Sequence, residues 1–347
     1  MDERPAVTVV VAAFNEEGCI AENLQRIVTE LKKRPDTSWE LICVDDGSAD
    51  RTGEITDRFA EGNEGVKVLH HRRNFGQGRA LRTGFAESGG SVIVTLDADL
   101  SYGPEYIWSL ADALRTRNVE IALASPYMEG GSVKNVPFHR NFLSRLGNLY
   151  LARMSNYRIS TSTCVVRAYR REVIEGLSLT SDGMELQPEI LLKAHMMGFR
   201  LCEIPARLEW TGLKSAGKGP GRVSKFGIMR AMRLYLLLGW LSRPAYFFMI
   251  ISTMLLLPGL YMALALAVRL AIAGRRHINE GLVQAVSSSM TEVFQAYAYS
   301  VVFSGLFLLV GTQVFAFTLL LLQNKFYFEE IYRQGQSPSG DDRVLRR

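Results

Sequence analysis

Cysteine is scarce in this chain, and the cysteines that occur are scattered. The four among 347 residues are Cys19, Cys43, Cys164 and Cys202, and they form no CxxC pair. Isolated thiols of this kind exclude a disulfide framework and a cysteine-based zinc site, and they favour a reducing compartment. The N-terminal segment MDERPAVTVV is charged and lacks a long apolar stretch, so we expect no signal peptide.

Charge is missing from two long stretches near the C-terminus. Residues 244–268 and 293–324 contain no Asp, Glu, Lys or Arg. A membrane-spanning helix needs about 20 apolar residues, and both stretches exceed that length. The composition therefore predicts a domain of two transmembrane helices at 244–324, followed by a cytoplasmic tail at 325–347.

Basic residues flank these stretches and predict the orientation of the chain. Residues 211–243 contain several Lys and Arg but no Asp or Glu. Because Lys and Arg accumulate on the cytoplasmic side of membrane proteins, we expect both termini and the front domain at 1–225 in the cytoplasm. The apolar segment 226–243 carries Arg230 and Arg233 three residues apart, which predicts an amphipathic helix at the membrane surface.

Before residue 226 the sequence alternates β-branched apolar segments with longer amphipathic ones. Candidate strands are 6–14, 40–46, 66–71, 91–97, 120–125, 162–170 and 200–208, and candidate helices include 16–33 and 76–88. Alternation of strands and helices predicts an α/β fold whose mostly parallel sheet is covered by helices on both faces.

Three of the candidate strands end in polar residues. These ends read Phe14-Asn15-Glu16, Asp45-Asp46-Gly47-Ser48 and Asp97-Ala98-Asp99. In parallel sheets ligands bind at the carboxyl ends of the strands. Two aspartates one residue apart supply hard oxygen ligands for Mg²⁺ or Mn²⁺ bound to a diphosphate. Two solvated turn residues would give the same pattern, so the pair alone leaves both interpretations open.

Four motifs in a fixed order add a resemblance to a known family. They read VVVAAFNEEG, ICVDDGSADRTGEI, RRNFGQGRALRTGFAES and VIVTLDADLSYGPEYI. Together they resemble the family 2 glycosyltransferases with the GT-A fold, and within them the polyprenyl-phosphate glycosyltransferases of the dolichyl-phosphate mannose synthase type. The resemblance spans residues 6–230 and implies a hexosyltransferase. It would use Mg²⁺ or Mn²⁺ to transfer a sugar, with inversion, from a UDP- or GDP-sugar to a polyprenyl phosphate.

The resemblance also implies roles for the residues at the strand ends. The nucleotide is expected at Ala12, Phe14, Glu16, Asp46 and Asp97. Asp99 is expected to be the direct metal ligand and a catalytic residue, with Asp97 and Ser101 beside it. Ser101 stands where the family often has Gln, and its shorter side chain leaves the metal geometry open.

The acceptor phosphate is expected next to a later segment. VPFHRNFLSRLGN resembles the family segment that binds the lipid phosphate, which makes Arg140 and Ser144 the candidates here and Arg140 a catalytic residue. A spacing of four places these two on one helix face. Arg222 and Lys225 in GRVSKFG would meet the same phosphate or anionic lipid headgroups. Pro126 stands where the family has an Arg in its GSRY pattern.

Two other functions stay open at this point. A family 2 enzyme acting on a lipid-linked sugar hydroxyl would use Asp182 or Glu185 as a base. A membrane scaffold with a non-catalytic GT-A domain is the second, although intact Asp46, Asp97 and Asp99 argue against it. We expect membrane lipids but no nucleic acid as partners, and the sequence leaves a homo-oligomer open.

Overall fold

The computed structural model describes residues 5–154, 159–210 and 244–336. They divide into two compact units, one ending at residue 210 and one spanning 244–335. The predicted amphipathic helix at 226–243, the acceptor candidates Arg222 and Lys225, and the tail from 337 lie outside the described residues.

The first unit contains nine strands and seven helices among its described residues. In chain order they are β1 (Val7–Ala13), α1 (Ile20–Leu31), β2 (Trp39–Asp45), α2 (Thr52–Glu61), β3 (Val66–His70), α3 (Gln77–Glu87), β4 (Val92–Asp97), α4 (Tyr106–Thr116), β5 (Ile121–Ser125), β6 (Ser132–Lys134), α5 (Phe138–Met154), β7 (Arg167–Arg170), α6 (Arg171–Gly176), α7 (Leu186–Met196), β8 (Leu201–Pro205) and β9 (Arg207–Glu209).

Seven of the strands form one sheet in the order β3-β2-β1-β4-β7-β5-β8. All neighbours are parallel except β7, which runs antiparallel to both β4 and β5. β1 (VTVVVAA) is almost entirely buried, as expected for a β-branched central strand covered on both faces. The predicted α/β fold with a mostly parallel sheet is confirmed.

Helices cover the two faces of this sheet. On α1 the residues Ile20, Leu24, Ile27 and Leu31 recur at helical spacing and are fully buried in one apolar cluster. A second cluster lies on the other face, where α3 and α7 pack. The sheet is therefore held rigid from both sides, and its strand ends are available for a site.

Two predicted strands differ from the structure. The strand predicted at 162–170 begins only at Arg167, because the backbone N–H of Ser162 donates to the Asn148 side chain instead of to a neighbouring strand. The strand predicted at 200–208 is split into β8 and β9. Pro205 ends β8, and the next residue, Ala206, leads into β9, which pairs with β6.

The second unit consists of two long helices, α8 (Pro244–Arg276) and α9 (Leu282–Gln336). By length and composition each is able to cross a membrane. α8 ends at Arg276 and α9 begins at Leu282, so only residues 277–281 connect them. The Arg276 guanidinium on α8 lies 2.8 Å from the Glu292 carboxylate on α9.

Small residues bring α8 and α9 together. The Ser252 hydroxyl donates to the Gly311 carbonyl at 3.1 Å, and the Ser304 hydroxyl donates to the Gly259 carbonyl at 3.2 Å. A Cβ added at Gly311 would lie 2.8 Å from Leu256. Glycine and serine let apolar helices approach closely and bond through their backbones, so this pairing specifies the helical hairpin.

We expect Gly311→Leu to destabilise the helical hairpin, because the new side chain collides with α8. The cost is about 1–3 kcal/mol, as for other overpacked interfaces. Thermal melting of the full chain in detergent measures it. Gly305→Leu is the matched control, since nothing lies within 4 Å of a Cβ added at Gly305. Equal melting temperatures for the two variants would contradict the proposed packing role.

Candidate active site

The register of the sheet brings three polar strand ends together. Ala12 on β1 aligns with Val44 on β2 and with Asp97 on β4, and Ala13 aligns with Asp45. The chain runs outward from β1 through β2 and β3 and then returns to place β4 on the other side of β1. Such a reversal leaves a crevice at the carboxyl ends of the strands, where ligands bind in open α/β sheets.

A cleft of about 930 Å³ lies at this edge of the sheet. The five residues expected to contact the nucleotide all line it, and they are Ala12, Phe14, Glu16, Asp46 and Asp97. The Phe14 ring is 42% exposed, which is unusual for a large apolar side chain beside a buried strand. The cleft therefore offers an aromatic surface together with carboxylates.

The loop that carries Phe14 and Glu16 is fastened to the loop after β2. Asn15 has φ 54°, a backbone conformation that Asn tolerates better than most residues. Its N–H donates to Ser48 Oγ at 3.0 Å, and its side-chain Oδ1 accepts from the Ala49 N–H at 2.9 Å. The Glu16 N–H donates to Thr52 Oγ1 at 2.8 Å. These bonds fix the rim of the cleft.

Asp46 is a buried carboxylate with several partners inside the chain. It is 2% exposed, and it accepts from the N–H groups of Phe75 at 3.0 Å and Gly76 at 2.8 Å. His71 Nδ1 lies 2.6 Å from the same carboxylate. Asp46 therefore orders the segment that leads from β3 into α3. Its expected role in holding the base stays a prediction.

The glycines before and inside α3 allow a second segment to pass close to this helix. A Cβ at Gly76, where φ is 106°, would lie 2.5 Å from the Asp182 carbonyl oxygen, and one at Gly78 would lie 2.5 Å from that of Gly183. Arg82 Nη1 donates to the Asp182 carboxylate at 2.8 Å. Arg82 and the candidate base Asp182 thus form an ion pair with each other.

Glu189 holds the same segment from the α7 side. Its carboxylate accepts from the backbone N–H groups of Thr180 at 3.0 Å and Ser181 at 2.8 Å, and from Lys193 Nζ at 2.5 Å. Burial alone would raise the pKa of this carboxyl, but the Lys193 ammonium and the Ser181 and Thr180 donors lower it to about 2. Glu189 is therefore a structural anion, which agrees with its position away from the lining of the cleft.

The aspartate pair lies at the end of β4. Asp97 Oδ1 accepts from Gln77 Nε2 at 3.3 Å and faces the cleft. Asp99 is 8% exposed and lies outside the cleft lining, and its Oδ1 accepts from the Ser101 N–H at 3.0 Å and from Ser101 Oγ at 2.8 Å. Ser101 is therefore placed against Asp99, as a neighbour of the expected metal ligand.

The donor set at this strand end fits a divalent cation that arrives with a diphosphate. Within the described ranges, no group of three or more His, Cys, Asp or Glu side chains could hold a metal on protein ligands alone. Mg²⁺ is commonly held by one or two carboxylates, with phosphate oxygens and water completing its octahedron. Asp97 and Asp99 match that requirement.

A second pocket, of about 530 Å³, lies beside α5. It is lined in part by Tyr127, Arg145, Asn148 and Ser160. The Tyr127 hydroxyl donates to Ser144 Oγ at 2.9 Å, which places Ser144 next to this pocket. Arg140 also lies on α5, but its side chain is outside the described part of the chain.

The solvent-facing side of α5 carries an apolar stripe. Large side chains recur at spacings of four, four and three residues and are all exposed; they are Phe138, Phe142, Leu146 and Leu149. An exposed apolar stripe on a helix commonly marks a contact with a membrane or a partner. It borders the pocket that contains Arg145 and Asn148.

Comparison with known proteins identifies the family. Glycosyl transferase family 2 matches residues 8–177. The polyprenol monophosphomannose synthase of Mycolicibacterium smegmatis is 35% identical over 204 residues, which are 57% of this chain and 75% of that protein. The chain belongs to glycosyl transferase family 2. The expectation of a family 2 glycosyltransferase is therefore confirmed.

One further relative shows how much of a longer protein this chain matches, and one solved structure has a similar fold. It is 32% identical over 203 residues to the dolichol-phosphate mannosyltransferase of Pyrococcus furiosus, covering 57% of this chain and 55% of that longer relative. The structure of glucosyl-3-phosphoglycerate synthase from Mycobacterium tuberculosis with phosphoglyceric acid superposes with a TM-score of 0.51 at 18% identity, over 69% of this chain and 80% of that one. That likeness bears on the fold alone.

Sequence reasoning missed residues of the cleft, among them Gln77 and Met184. Both line it, and neither was among the expected site residues. Gln77 stands between Gly76 and Gly78, so its position in the FGQGR motif was an available signal. Met184 had no such signal in the sequence, because only the close passage of residues 181–183 over α3 brings it to the cleft.

Gly78→Ala should impair both stability and sugar-nucleotide binding. The added Cβ would meet backbone atoms of residues 181–183, which have no alternative rotamer, so that segment must move away from α3. We expect a loss of about 1–3 kcal/mol in the free energy of unfolding and weaker nucleotide binding. Isothermal titration with a nucleoside diphosphate measures the latter. Gly176→Ala, at the end of α6 and outside the cleft lining, makes only ordinary contacts with Phe199 and should behave as wild type.

Glu189→Gln should change the acid stability of the protein. A carboxyl whose pKa falls from 4.5 in the unfolded chain to about 2 in the folded chain stabilises the fold above pH 4.5, and this contribution is lost as pH falls towards 2. At neutral pH the variant should be less stable by roughly 1–3 kcal/mol. Melting curves over a pH series test this. A difference between wild type and variant that stayed constant down to pH 2 would disprove the assignment.

Proposed function

We propose that this protein transfers a sugar from a nucleotide-sugar to a polyprenyl phosphate at the cytoplasmic face of a membrane. The observation that carries the proposal is the cleft at the ends of β1, β2 and β4, in which Phe14, Glu16, Asp46 and Asp97 converge. The names of the two relatives, a polyprenol monophosphomannose synthase and a dolichol-phosphate mannosyltransferase, supply the acceptor class.

The donor is proposed to bind along the strand ends. The exposed Phe14 ring suits the face of a nucleobase, and Glu16 suits the hydroxyls of a ribose or an edge of the base. Asp46 fixes the backbone of residues 75 and 76, so it would shape the base site even where it does not touch the base. Asp97, which aligns with Ala12 in the sheet register, would contact the ribose or the diphosphate.

Asp97 and Asp99 are proposed to hold Mg²⁺ or Mn²⁺ when the donor binds. Bound there, the cation would neutralise charge on the departing nucleoside diphosphate. Ser101, which donates two hydrogen bonds to Asp99 Oδ1, fixes the orientation of that carboxylate. A carboxylate with a fixed orientation needs little reorganisation as charge develops, which favours the transition state.

The acceptor phosphate is proposed to bind near α5. Ser144 would meet it beside the pocket lined by Tyr127 and Arg145, and Arg140, Arg222 and Lys225 would add positive charge. The second pKa of a phosphate monoester is about 6, so the attacking oxygen is already largely ionised and needs no strong base. The bonded states of Asp182 and Glu189 agree with such a reaction. A single displacement then inverts the anomeric carbon.

Attachment to a membrane is proposed on two observations. α8 and α9 are long and apolar enough to span a bilayer, and α5 exposes an apolar stripe from Phe138 to Leu149. A polyprenyl phosphate keeps its tail in the bilayer, so its phosphate is accessible only at the surface. A stripe that enters the headgroup region would hold the α5 pocket at that height.

A transfer assay tests the function directly. Full-length protein in detergent is incubated with a short polyprenyl phosphate, Mg²⁺ or Mn²⁺, and each labelled UDP- or GDP-sugar in turn. We expect label in the organic phase from one donor. Asp99→Asn should lower the rate by about 100-fold or more, because the leaving group loses its electrostatic support. The exposed Asp36→Asn is the matched control and should keep the wild-type rate.

The other outcomes separate the alternatives. Turnover of the nucleotide-sugar only after a glycolipid is added would point to a hydroxyl acceptor. Tight nucleotide binding without turnover of any donor would point to a non-catalytic scaffold. Full activity of Asp99→Asn with an undiminished metal requirement would remove Asp99 from the metal site.

A further inference from the structure

Arg167 is a fully buried cation in the middle of the catalytic unit. It is 0% exposed and lies on β7, aligned with Thr95 on β4 and with Leu123 on β5. Its guanidinium donates to two backbone carbonyls, those of Gln187 at 3.0 Å and Ser162 at 2.8 Å, and no ion pair with a described carboxylate accompanies them. Burying a charge without a counter-charge is costly, so its presence needs a reason.

One of the two bonds leads to the pocket beside α5. The residue that accepts it, Ser162, donates its own N–H to Asn148 Oδ1 at 2.8 Å. Asn148 is buried, and its Nδ2 donates to the Ser144 carbonyl at 3.0 Å. Asn148 also lines the 530 Å³ pocket, next to Tyr127. Through these bonds the guanidinium fixes the wall of the proposed acceptor site.

The other bond leads to the donor cleft. Gln187 lies in the first turn of α7, directly after the segment that passes over α3. The Leu186 N–H donates to the Gly183 carbonyl at 3.2 Å, and Met184 lines the 930 Å³ cleft. The same guanidinium therefore holds a wall of each pocket.

Several polar atoms around this guanidinium have unused bonding capacity. Arg167 Nε, Ser162 Oγ and Gln187 Oε1 are buried, and in the described part of the chain they have no hydrogen-bond partner. Buried groups of this kind are rare in folded proteins and call for an explanation. They are donors and acceptors that a second arrangement of the network would use.

We propose that Arg167 is a positioning residue that couples the two pockets, so that an occupant of one changes the affinity of the other. The identities of donor and acceptor rest on the proposed function, whereas the coupling itself rests on the network. Coupling through a shared element is reciprocal, and it typically changes affinities by about 5-fold or more. Binding of the acceptor would thereby favour the arrangement of the α7 start that suits the nucleotide.

The test measures nucleoside diphosphate affinity by titration, with and without a short polyprenyl phosphate, on the full-length protein with Mg²⁺. In wild type we expect the lipid phosphate to raise the affinity by about 5-fold or more. Arg167→Met should reduce this ratio to near one. Asn148→Ala removes the acceptor-side bonds of the network and also alters the lining of the acceptor pocket. The ratio is therefore measured with the lipid phosphate at saturation, where it should fall to near one.

Arg171→Met is the matched control. Arg171 also donates to two backbone carbonyls, those of Gly90 and Ser88, both at 2.8 Å, but at the opposite end of the sheet. Its loss should cost stability and leave the affinity ratio at the wild-type value. General destabilisation of the fold does not change this affinity ratio, so the ratio distinguishes coupling from a loss of stability.

Several results would overturn the inference. A wild-type ratio near one would remove the coupling, and equal ratios for Arg167→Met and Arg171→Met would remove Arg167 from it. If Arg167→Met does not fold, Asn148→Ala decides, and an unchanged ratio there rejects the network. Failure of the proposed function would be seen separately, as absence of labelled lipid in the transfer assay while both ligands still bind.

Discussion

The carboxylate of Asp46 is the contact on which most of the proposed donor cleft depends. It lies at the end of a central strand and is buried there. It accepts hydrogen bonds from two consecutive backbone N–H groups just before α3. Those bonds hold Gly76 at its positive φ. Because glycine has no side chain, the segment at 181–183 is able to pass close to α3. One buried anion thus organises β2, α3 and the approach to α7.

The parts of this arrangement that sequence could reveal are the local ones. β1, β2, β4 and β5 coincide with β-branched apolar segments, because a strand buried on both faces must be apolar along its length. β3 lies at the edge of the sheet, and its Lys67 and His70 are exposed. Phe14, Glu16, Asp46 and Asp97 follow such segments directly, and so their convergence could be predicted. The register of the parallel strands is enough to bring these residues together, and no side-chain contact has to be known in advance.

The parts that sequence could not reveal depend on distant partners. From the sequence alone, Arg167 would ordinarily be assigned to the surface. Its hydrogen-bond acceptors are backbone carbonyls 5 and 20 residues away, and no neighbouring residue in the chain indicates them. Residues 162–166 look like a strand by composition, but Asn148 takes the N–H that a neighbouring strand would need. The ion pair between Arg276 and Glu292 joins two different helices, so neither residue's neighbours in the chain indicate it.

The position of β7 has a consequence for the order in which the chain can fold. In the main sheet β7 alone connects the block β3-β2-β1-β4 to the block β5-β8, and it does so about 70 residues after β4 ends. During synthesis the first block is complete well before β7 leaves the ribosome, so β4 remains an open edge in the meantime. An unpaired edge is a template for association with other chains. The half of the sheet that carries the residues proposed to bind the nucleotide is therefore the half exposed to misassembly until residue 170 has been added.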